Sequence, residues 1–264
     1  MNARLLHVSD LHAGTHEETE TAATLARLVE RTEPQLVVAS GDLTHRGRRE
    51  QHERAAAFLR ALGPPVLAVP GNHDVPYAFP ARLSRPWAEF ERLWGTTEPV
   101  AELPGLHVVG LNSVRPLRQQ GGALSRVQLA DAAARLAEGE AGALRVAVLH
   151  HHLVGAPWRA ARKRPVSRRN RVLGALVEAG ADLILAGHIH QSAVSERHEF
   201  EVVGDEVRTA VVAIAPGLGR PRPRKLGEAR GLHVIDADDD AISLDTYVWS
   251  RGDWTLAAHR VFPR

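Results

Sequence analysis

The chain has 264 residues, of which 44% are hydrophobic, and a formal net charge of +2 at pH 7. This length and apolar content are enough for one large folded domain, and the small net charge argues against a surface that coats nucleic acid. Cysteine is absent, which excludes disulfides and thiolate metal ligands. Any metal would have to be held by His, Asp, Glu or Asn.

The amino-terminal stretch "MNARLLHVSDLHAG" does not resemble an export signal. Its apolar run is short and is soon interrupted by His7 and Asp10, with no small-residue cleavage site behind it. No other stretch approaches the length that spans a bilayer. We therefore expect a cytoplasmic protein.

The first third of the chain alternates between two hydrophobic patterns. Short continuous apolar runs predict buried strands, and apolar residues at helical spacing predict the helices between them. This strand–helix order implies parallel β-α-β units with right-handed crossovers. The predicted strands are 4–9, 35–40 and 65–70, and the predicted helices are 18–32 and 49–62.

The remaining chain continues this alternation up to Ile189 and then changes. The predicted elements are helix 80–94, strand 106–113, helix 126–138, strand 143–150, helix 168–179 and strand 181–187. Beyond them, β segments are predicted at 191–216, 231–237, 241–249 and 254–261, with the acidic stretch 236–240 as a hairpin turn. We expect one domain over residues 1–264, with a motif-bearing core (1–190) and a second sheet built largely from residues 191–264.

Polar residues of metal-binding types follow five of the predicted strands. In open α/β sheets, ligands bind beyond the carboxyl ends of the strands, so we expect these residues to converge. Aspartate, asparagine and histidine without sulfur suit iron, manganese or zinc. In chain order they are Asp10 and His12; Asp42; Asn72, His73 and Asp74; His150, His151 and His152; and His188 and His190.

The set is too large for a single tetrahedral ion. Two ions that share a carboxylate would use these residues naturally, and such a pair can clamp both oxygens of an in-line displacement. Gly41, Gly71 and Gly187 lie where the backbone must approach the ions closely. Hydrogen bonding alone could explain any one buried histidine, but burying all of these groups is costly unless something compensates the charge.

The ordered motifs "DLH", "GDLTHRG", "GNHD", "H" and "GHIH" over residues 10–190 resemble those of the calcineurin-like metallophosphoesterases. The compact size, the "GDL" block and the paired histidines are most similar to the bacterial class III cyclic nucleotide phosphodiesterases. The resemblance implies an α/β fold, a four-layer α/β/β/α sandwich of two mixed β-sheets, with a dinuclear metal centre at one edge.

The resemblance also assigns roles to individual residues. Asp42 would bridge the two metals, and a metal-bridging hydroxide would attack phosphorus in line. His73 would act at the leaving-group oxygen, and Asp74 would orient its ring or be only a turn residue. One metal would be held by Asp10, His12, Asp42 and His190, and the other by Asp42, Asn72, His150 and His188, with His151 the alternative to His150.

Substrate contacts are less sharply indicated. Arg46 occupies the position at which related protein phosphatases carry a phosphate-contacting arginine, and the "HHHLVGAPW" loop lacks the double proline common in the class III group. Asn112, Arg115 and His151 are further predicted substrate contacts. Segment 158–171 carries seven basic residues. Three interpretations are open: a cap that attracts anionic substrates, a patch that meets acidic lipid, or a solvated loop.

These observations predict a phosphodiesterase that uses two metal ions (Mn, Fe or Zn) and acts on small phosphodiesters such as cyclic nucleotides. The alternatives are a phosphomonoesterase or a nucleotide-lipid pyrophosphatase and, from another class, a non-catalytic scaffold of the same fold. The scaffold is disfavoured because every ligand position is filled. No nucleic-acid polymer is expected as a partner, and the oligomeric state is left open.

Overall fold

The computed structural model describes residues 2–15, 19–118, 120–154, 163–194, 199–203, 206–219 and 229–264. In these ranges the helices are α1 (Thr19–Thr32), α2 (Arg49–Arg60), α3 (Ala81–Ser84), α4 (Ala88–Trp94), α5 (Arg126–Ala137) and α6 (Arg169–Glu178). The strands are β1 (Ala3–Val8), β2 (Leu36–Ala39), β3 (Val66–Ala68), β4 (Val100–Leu103), β5 (Leu106–Leu111), β6 (Leu144–Leu149), β7 (Leu183–Ala186), β8 (Ala193–Val194), β9 (Glu199–Val203), β10 (Glu206–Ile214), β11 (Gly231–Ala237), β12 (Ala241–Ser250) and β13 (Asp253–Pro263).

Two mixed sheets form the centre of the molecule. The first has the strand order β13-β12-β11-β1-β2-β3, in which β1, β2 and β3 are parallel, as their β-α-β order predicts. The second has the order β4-β5-β6-β7-β10-β8, with β9 paired to β10. Strands β5, β6, β7 and β10 of this sheet are parallel to one another.

Side chains alternate between the two faces of each strand, and this alternation builds four layers. In β2, Leu36 and Val38 pack between the two sheets, whereas Val37 packs with Leu25 and Leu59 against α1 and α2. Strand β6 likewise divides its residues between the central core and the layer that α5 and α6 cover. The α/β/β/α sandwich expected from the resemblance is therefore the observed fold.

The carboxy-terminal strands differ from the expectation. We expected residues 191–264 to build the second sheet, but β11, β12 and β13 extend the first sheet, because β11 pairs antiparallel with β1. Only β8, β9 and β10 of that stretch join the second sheet. The acidic turn between β11 and β12 forms as predicted, with the Asp238 side chain accepting hydrogen bonds from two backbone N–H groups of the turn.

Two further local differences have physical reasons. The helix predicted over 80–94 is two short helices, α3 and α4, because Pro86 lies between them and cannot continue a helix. Strand β4 was not predicted, although the Pro104-Gly105 pair marks the turn of its hairpin with β5.

Candidate metal centre

The loops that follow β1, β2, β3, β6 and β7 meet at one edge of the sandwich. Two overlapping sets of side chains have ligand atoms that lie, within each set, no more than 4.8 Å from one another. All of these side chains are buried. The first set is Asp10, His12, Asp42 and His190, and the second is Asp42, His150 and His188. The structure thus brings together the side chains that the sequence placed at separate strand ends.

In the first set, nitrogen atoms of two histidines surround one carboxylate oxygen. Nε2 of His190 lies 3.1 Å from Oδ1 of Asp10 and 3.1 Å from Nε2 of His12. The other oxygen of Asp10 is held in place, because it accepts hydrogen bonds from the Ser9 hydroxyl and the backbone N–H of His188. Oδ1 of Asp10 is therefore the oxygen that faces the cluster.

In the second set, a backbone carbonyl fixes the tautomer of one histidine. Nδ1 of His150 donates to the carbonyl oxygen of Ser40 over 2.8 Å, which leaves Nε2 to face the cluster. That nitrogen lies 3.4 Å from Oδ1 of Asp42 and 3.2 Å from Nδ1 of His188. A carbonyl partner of this kind is the usual support of a metal-binding histidine.

Asp42 connects the two sets. While Oδ1 lies near His150, Oδ2 lies 3.8 Å from Nε2 of His12 in the first set. Oδ1 also accepts a hydrogen bond from the backbone N–H of His73, which fixes the orientation of the carboxylate. This carboxylate can therefore be shared between two ions.

Several buried polar atoms of this region lack a hydrogen-bond partner, and this observation tests whether metal ions fit. An unpaired buried polar atom is costly, so such atoms gathered in one place are suited to bind a ligand. Their chemistry is the oxygen and imidazole set that suits iron, manganese and zinc. The atoms are Oδ1 of Asp10, Oδ2 of Asp42, Oδ1 of Asn72 and Nε2 of His188.

The protonation states largely match those of metal ligands. Burial raises the pKa of Asp10 and Asp42, but the charges of nearby histidines, His190 and His150 foremost, outweigh it and hold both pKa values well below the usual range. Burial lowers the pKa of His12 and His188, which keeps these rings neutral. Despite its burial, His150 has a pKa raised to about 9 by Asp42, so this ring must lose a proton before it binds metal.

The backbone is strained at the same positions. In the described ranges eight non-glycine residues have positive φ angles, and five of them are predicted metal ligands. Such strain persists where the surroundings enforce it, and it clusters at functional sites. The five are Asp10, His12, Asp42, His188 and His190.

Two glycines allow the loops to approach this closely. A Cβ atom at position 71 would lie 2.0 Å from the backbone nitrogen of Asp42, and one at position 187 would lie 1.8 Å from the hydroxyl of Ser9. Any side chain at these positions would push the Asp42 and Asp10 loops out of place. The sequence predicted this close approach of the backbone at Gly71 and Gly187.

His73 lies at the edge of the centre, and its ring is oriented differently from the prediction. Nδ1 of His73 donates to the carbonyl oxygen of His45 over 2.7 Å, which leaves Nε2 for a substrate. Asp74 does not orient this ring. Its carboxylate instead accepts hydrogen bonds from backbone N–H groups of Gly71, Leu43 and Thr44, because it is buried beneath both loops.

His45 lies within the motif "GDLTHRG" and had no role predicted from the sequence. The ring of His45 stacks on that of His73 with centroids 5.8 Å apart, and nitrogen atoms of His12, His45 and His73 lie within 4.8 Å of one another. The signal that could have identified it is its position three residues after Asp42, in the same strand-end loop.

The triplet of histidines after β6 divides its roles. His150 contacts Asp42, whereas Nδ1 of His151 lies 2.9 Å from the hydroxyl of Ser113. The ring of His151 packs against that of His188, with centroids 4.6 Å apart. The geometry favours His150 as the ligand, the first choice from the sequence, and pairs His151 with Ser113.

The other predicted substrate contacts differ in their surroundings. Arg46 is exposed. The Asn112 side chain accepts a hydrogen bond from the backbone N–H of Val114, and the Arg115 guanidinium donates to Gln128 over 2.6 Å. Asn112 therefore braces its own loop, and Arg115 ties that loop to α5.

The basic segment lies partly outside the described residues, which resume at Lys163. From there, Val166 donates a backbone hydrogen bond to the carbonyl oxygen of His152, which ties the segment to the histidine loop. Burial is the main cause that lowers the pKa of His151 and His188, and the positive charge of Lys163 adds to it. The described part of the segment thus places positive charge near the centre.

Comparison of the sequence with known families gives a match over most of the chain. The sequence model of the calcineurin-like phosphoesterase family matches residues 3–192. The chain therefore belongs to the calcineurin-like phosphoesterase family. None of the helices that the structure describes is both long and apolar enough to cross a bilayer.

Similar proteins include two phosphodiesterases. A probable cyclic nucleotide phosphodiesterase of Synechococcus is 29% identical over 130 residues, which cover 46% of this chain and 48% of that protein. The glycerophosphodiester phosphodiesterase GpdQ of Enterobacter lignolyticus is 40% identical over 73 residues, which cover 28% of this chain and 24% of that protein. The similarity thus spans at most about half the length of these relatives.

Solved structures share the fold at low sequence identity. The purple acid phosphatase PPD1 of yellow lupin has a TM-score of 0.71 at 12% identity, over all of this chain and 54% of that chain. GAP50 of Plasmodium has a TM-score of 0.59 at 11% identity, over 99% of this chain and 89% of that chain. At these identities the likeness shows the fold alone.

Proposed function

We propose that the protein is a phosphodiesterase that depends on two metal ions and acts on small phosphodiesters such as cyclic nucleotides. The observation that carries this proposal is the position of Asp42, whose two oxygens face two adjacent sets of imidazole and oxygen ligands. The similarity to two phosphodiesterases supports the choice of a diester over a monoester.

The two metal sites would be formed by residues with unpaired or cluster-facing atoms. Asp10, His12, Asp42 and His190 would hold one ion, and Asp42, Asn72, His150 and His188 the other. When bound, a pair of ions supplies a nucleophile at neutral pH and stabilises the charge on the phosphoryl oxygens. Manganese, iron and zinc all suit this set of ligands, and we include all three in the proposal.

His73 would act on the leaving group. The hydrogen bond from its Nδ1 to the His45 carbonyl fixes the ring, so that Nε2 of the doubly protonated ring can donate a proton or a hydrogen bond to the departing oxygen. Asp74 holds the two loops that carry Asp42 and His73 in register through its backbone hydrogen bonds. It is a positioning residue.

The basic surface would favour an anionic substrate. Burial lowers the pKa of His151 and His152, and the positive charge of Lys163 adds to this effect; the same charge would also attract a phosphate. Contact of segment 158–171 with acidic lipid and a cytoplasmic location remain predictions from the sequence.

A paired hydrolysis assay tests the proposal. The metal-free protein is reloaded with manganese and supplied with bis(p-nitrophenyl) phosphate and p-nitrophenyl phosphate. We expect a higher kcat/KM for the diester, which would justify a screen of cyclic nucleotides. Preference for the monoester would replace the proposal with a phosphomonoesterase, and the absence of metal binding and of turnover would favour a non-catalytic scaffold.

A further inference from the structure

Exposed apolar side chains concentrate beside the candidate centre. Within the described ranges eight large apolar residues are exposed, and four of them lie on the two segments that follow β3 and β5, one of which includes α3. We call these four residues the apolar wall: Tyr77, Phe79, Leu83 and Leu117, which are 50%, 68%, 51% and 78% exposed. Exposed apolar groups gathered in one place indicate a binding surface.

A buried arginine joins the two loops of the wall. Arg82 is 8% exposed, and its guanidinium donates to the carbonyl oxygens of Pro116 and Pro76 over 2.6 and 3.1 Å. The same guanidinium lies 5.9 Å from the ring centre of Tyr77. The wall is therefore held by a charged group that bridges its two halves.

The second loop is braced from within, which leaves its apolar residue facing outward. Arg118 donates a backbone hydrogen bond to the carbonyl oxygen of Arg115, so Pro116 and Leu117 form the tip of a turn. The side chains of Asn112 and Arg115, which the sequence suggested as substrate contacts, are bonded to the backbone of Val114 and to Gln128 of α5. The loop thus offers Leu117 toward solvent.

The wall begins next to the residue assigned to the leaving group. The ring of Tyr77 lies 6.1 Å from that of His73, within the range over which aromatic rings interact. A leaving group whose oxygen meets Nε2 of His73 would therefore extend over Tyr77. A flat ring there would contact the Tyr77 face and shield the wall from water.

We propose that the apolar wall binds the aromatic or heterocyclic part of the leaving group of a phosphodiester substrate, with Tyr77 as its main contact. This inference rests on the proposed function and adds a substrate class to it. Stacking suits this occupant because every aromatic ring or nucleobase has a π-face, and the contact adds to the burial of apolar area.

The test compares two diesters whose leaving groups are similarly acidic but differ in shape. Methyl phenyl phosphate carries an aromatic leaving group, and methyl hexafluoroisopropyl phosphate carries a branched aliphatic one. Tyr77→Ala should lower kcat/KM for the phenyl ester by about two- to tenfold and leave the aliphatic ester nearly unchanged. Tyr77→Phe keeps the ring and should retain the preference. Val127→Ala, which removes an exposed apolar side chain on α5, is the matched control and should change neither.

A binding measurement separates this inference from the proposed function. Phenylphosphonate and methylphosphonate do not require turnover, and wild-type protein should bind the phenyl compound more tightly by about two- to tenfold. Tyr77→Ala should bring the two Kd values together. If no phosphodiester is hydrolysed but this binding difference holds, the proposed function fails and the wall is still a ring-binding site. Equal Kd values in wild type, equal losses for both esters, or a dimer that Phe79→Ala dissociates without changing either preference would overturn the inference.

Discussion

Buried polar residues occur in two different states in this molecule. At the carboxyl ends of β1, β2, β3 and β7, Asp10, Asp42, Asn72 and His188 each keep an atom without a hydrogen-bond partner. At the end of β5, the side-chain oxygen of Asn112 is paired within its own loop. Both groups of residues lie at strand ends, but of the two only the first has buried polar atoms without a hydrogen-bond partner.

His233 on β11 extends the contrast to histidines. Its Nε2 donates to the carbonyl oxygen of Ile214, and its Nδ1 accepts from the hydroxyl of Thr246, both over 3.1 Å. Protein groups therefore satisfy both of its nitrogens and select a neutral ring. A buried histidine is therefore a ligand candidate when one of its ring nitrogens lies unpaired beside carboxylates. It is a structural residue when both ring nitrogens are paired with protein groups.

The largest effect should follow from removing the shared carboxylate. Asp42→Asn keeps the shape of the side chain but removes the charge that both metal sites use, so we expect kcat/KM to fall by about a thousandfold or more, together with the metal content. Asp131→Ala, an exposed residue paired with Arg135, is the control and should change neither. Turnover and metal content at wild-type levels in Asp42→Asn would break the two-metal interpretation.

His73→Ala should have a large effect that depends on the leaving group. Loss of a positioned proton donor costs about 10²–10⁴-fold when the leaving group is a poor one, and much less when it departs without help. The measurement is kcat/KM for an alkyl diester and for bis(p-nitrophenyl) phosphate. Equal losses on the two substrates would remove His73 from the leaving-group role.

His233 should affect stability through its titration. Burial lowers the pKa of His233 to about 4, below the value of 6.5 in an unfolded chain, so the unfolded state binds the proton more readily. The stabilisation is fully present above pH 6.5 and is lost as the pH falls toward 4, by about 3 kcal/mol in the free energy of unfolding. Urea denaturation at several pH values should show a shallower acid loss in His233→Gln than in wild type. Identical pH slopes would contradict this account.

Arg115→Ala should give the smallest effect on activity. Because its guanidinium is bonded to Gln128 of α5, we expect kcat/KM to stay close to wild type and the free energy of unfolding to fall by about 1 kcal/mol. Arg126→Ala, an exposed residue on α5, controls for the loss of an arginine. A large rise in KM for Arg115→Ala, without a change in stability, would return Arg115 to the substrate contacts.

Much of the fold and of the centre could be predicted from local sequence signals. The apolar runs and helical spacing located β1, β2 and β3 with their intervening helices, and the parallel order placed Asp10, Asp42 and Asn72 at one edge. The pairing of β1 with β11 could not be predicted, because it joins segments more than two hundred residues apart and leaves no local pattern.

The details of the site depended on partners that only the folded chain reveals. The sequence places Asp74 directly after His73 and therefore suggests a contact with the His73 ring. In the folded chain, backbone N–H groups of the loop that carries Asp42 bind the Asp74 carboxylate instead. Asn112 and Arg115 have the chemistry of substrate-binding residues, and their hydrogen bonds to Val114 and Gln128 could not be predicted from the sequence.

The most direct test of the account is the metal stoichiometry of manganese-reloaded protein, combined with its electron paramagnetic resonance spectrum. The account predicts two manganese ions per chain with the signal of a magnetically coupled pair, and loss of that signal in Asp42→Asn. One isolated manganese per chain, or two uncoupled ions that persist in Asp42→Asn, would contradict a shared carboxylate at the centre.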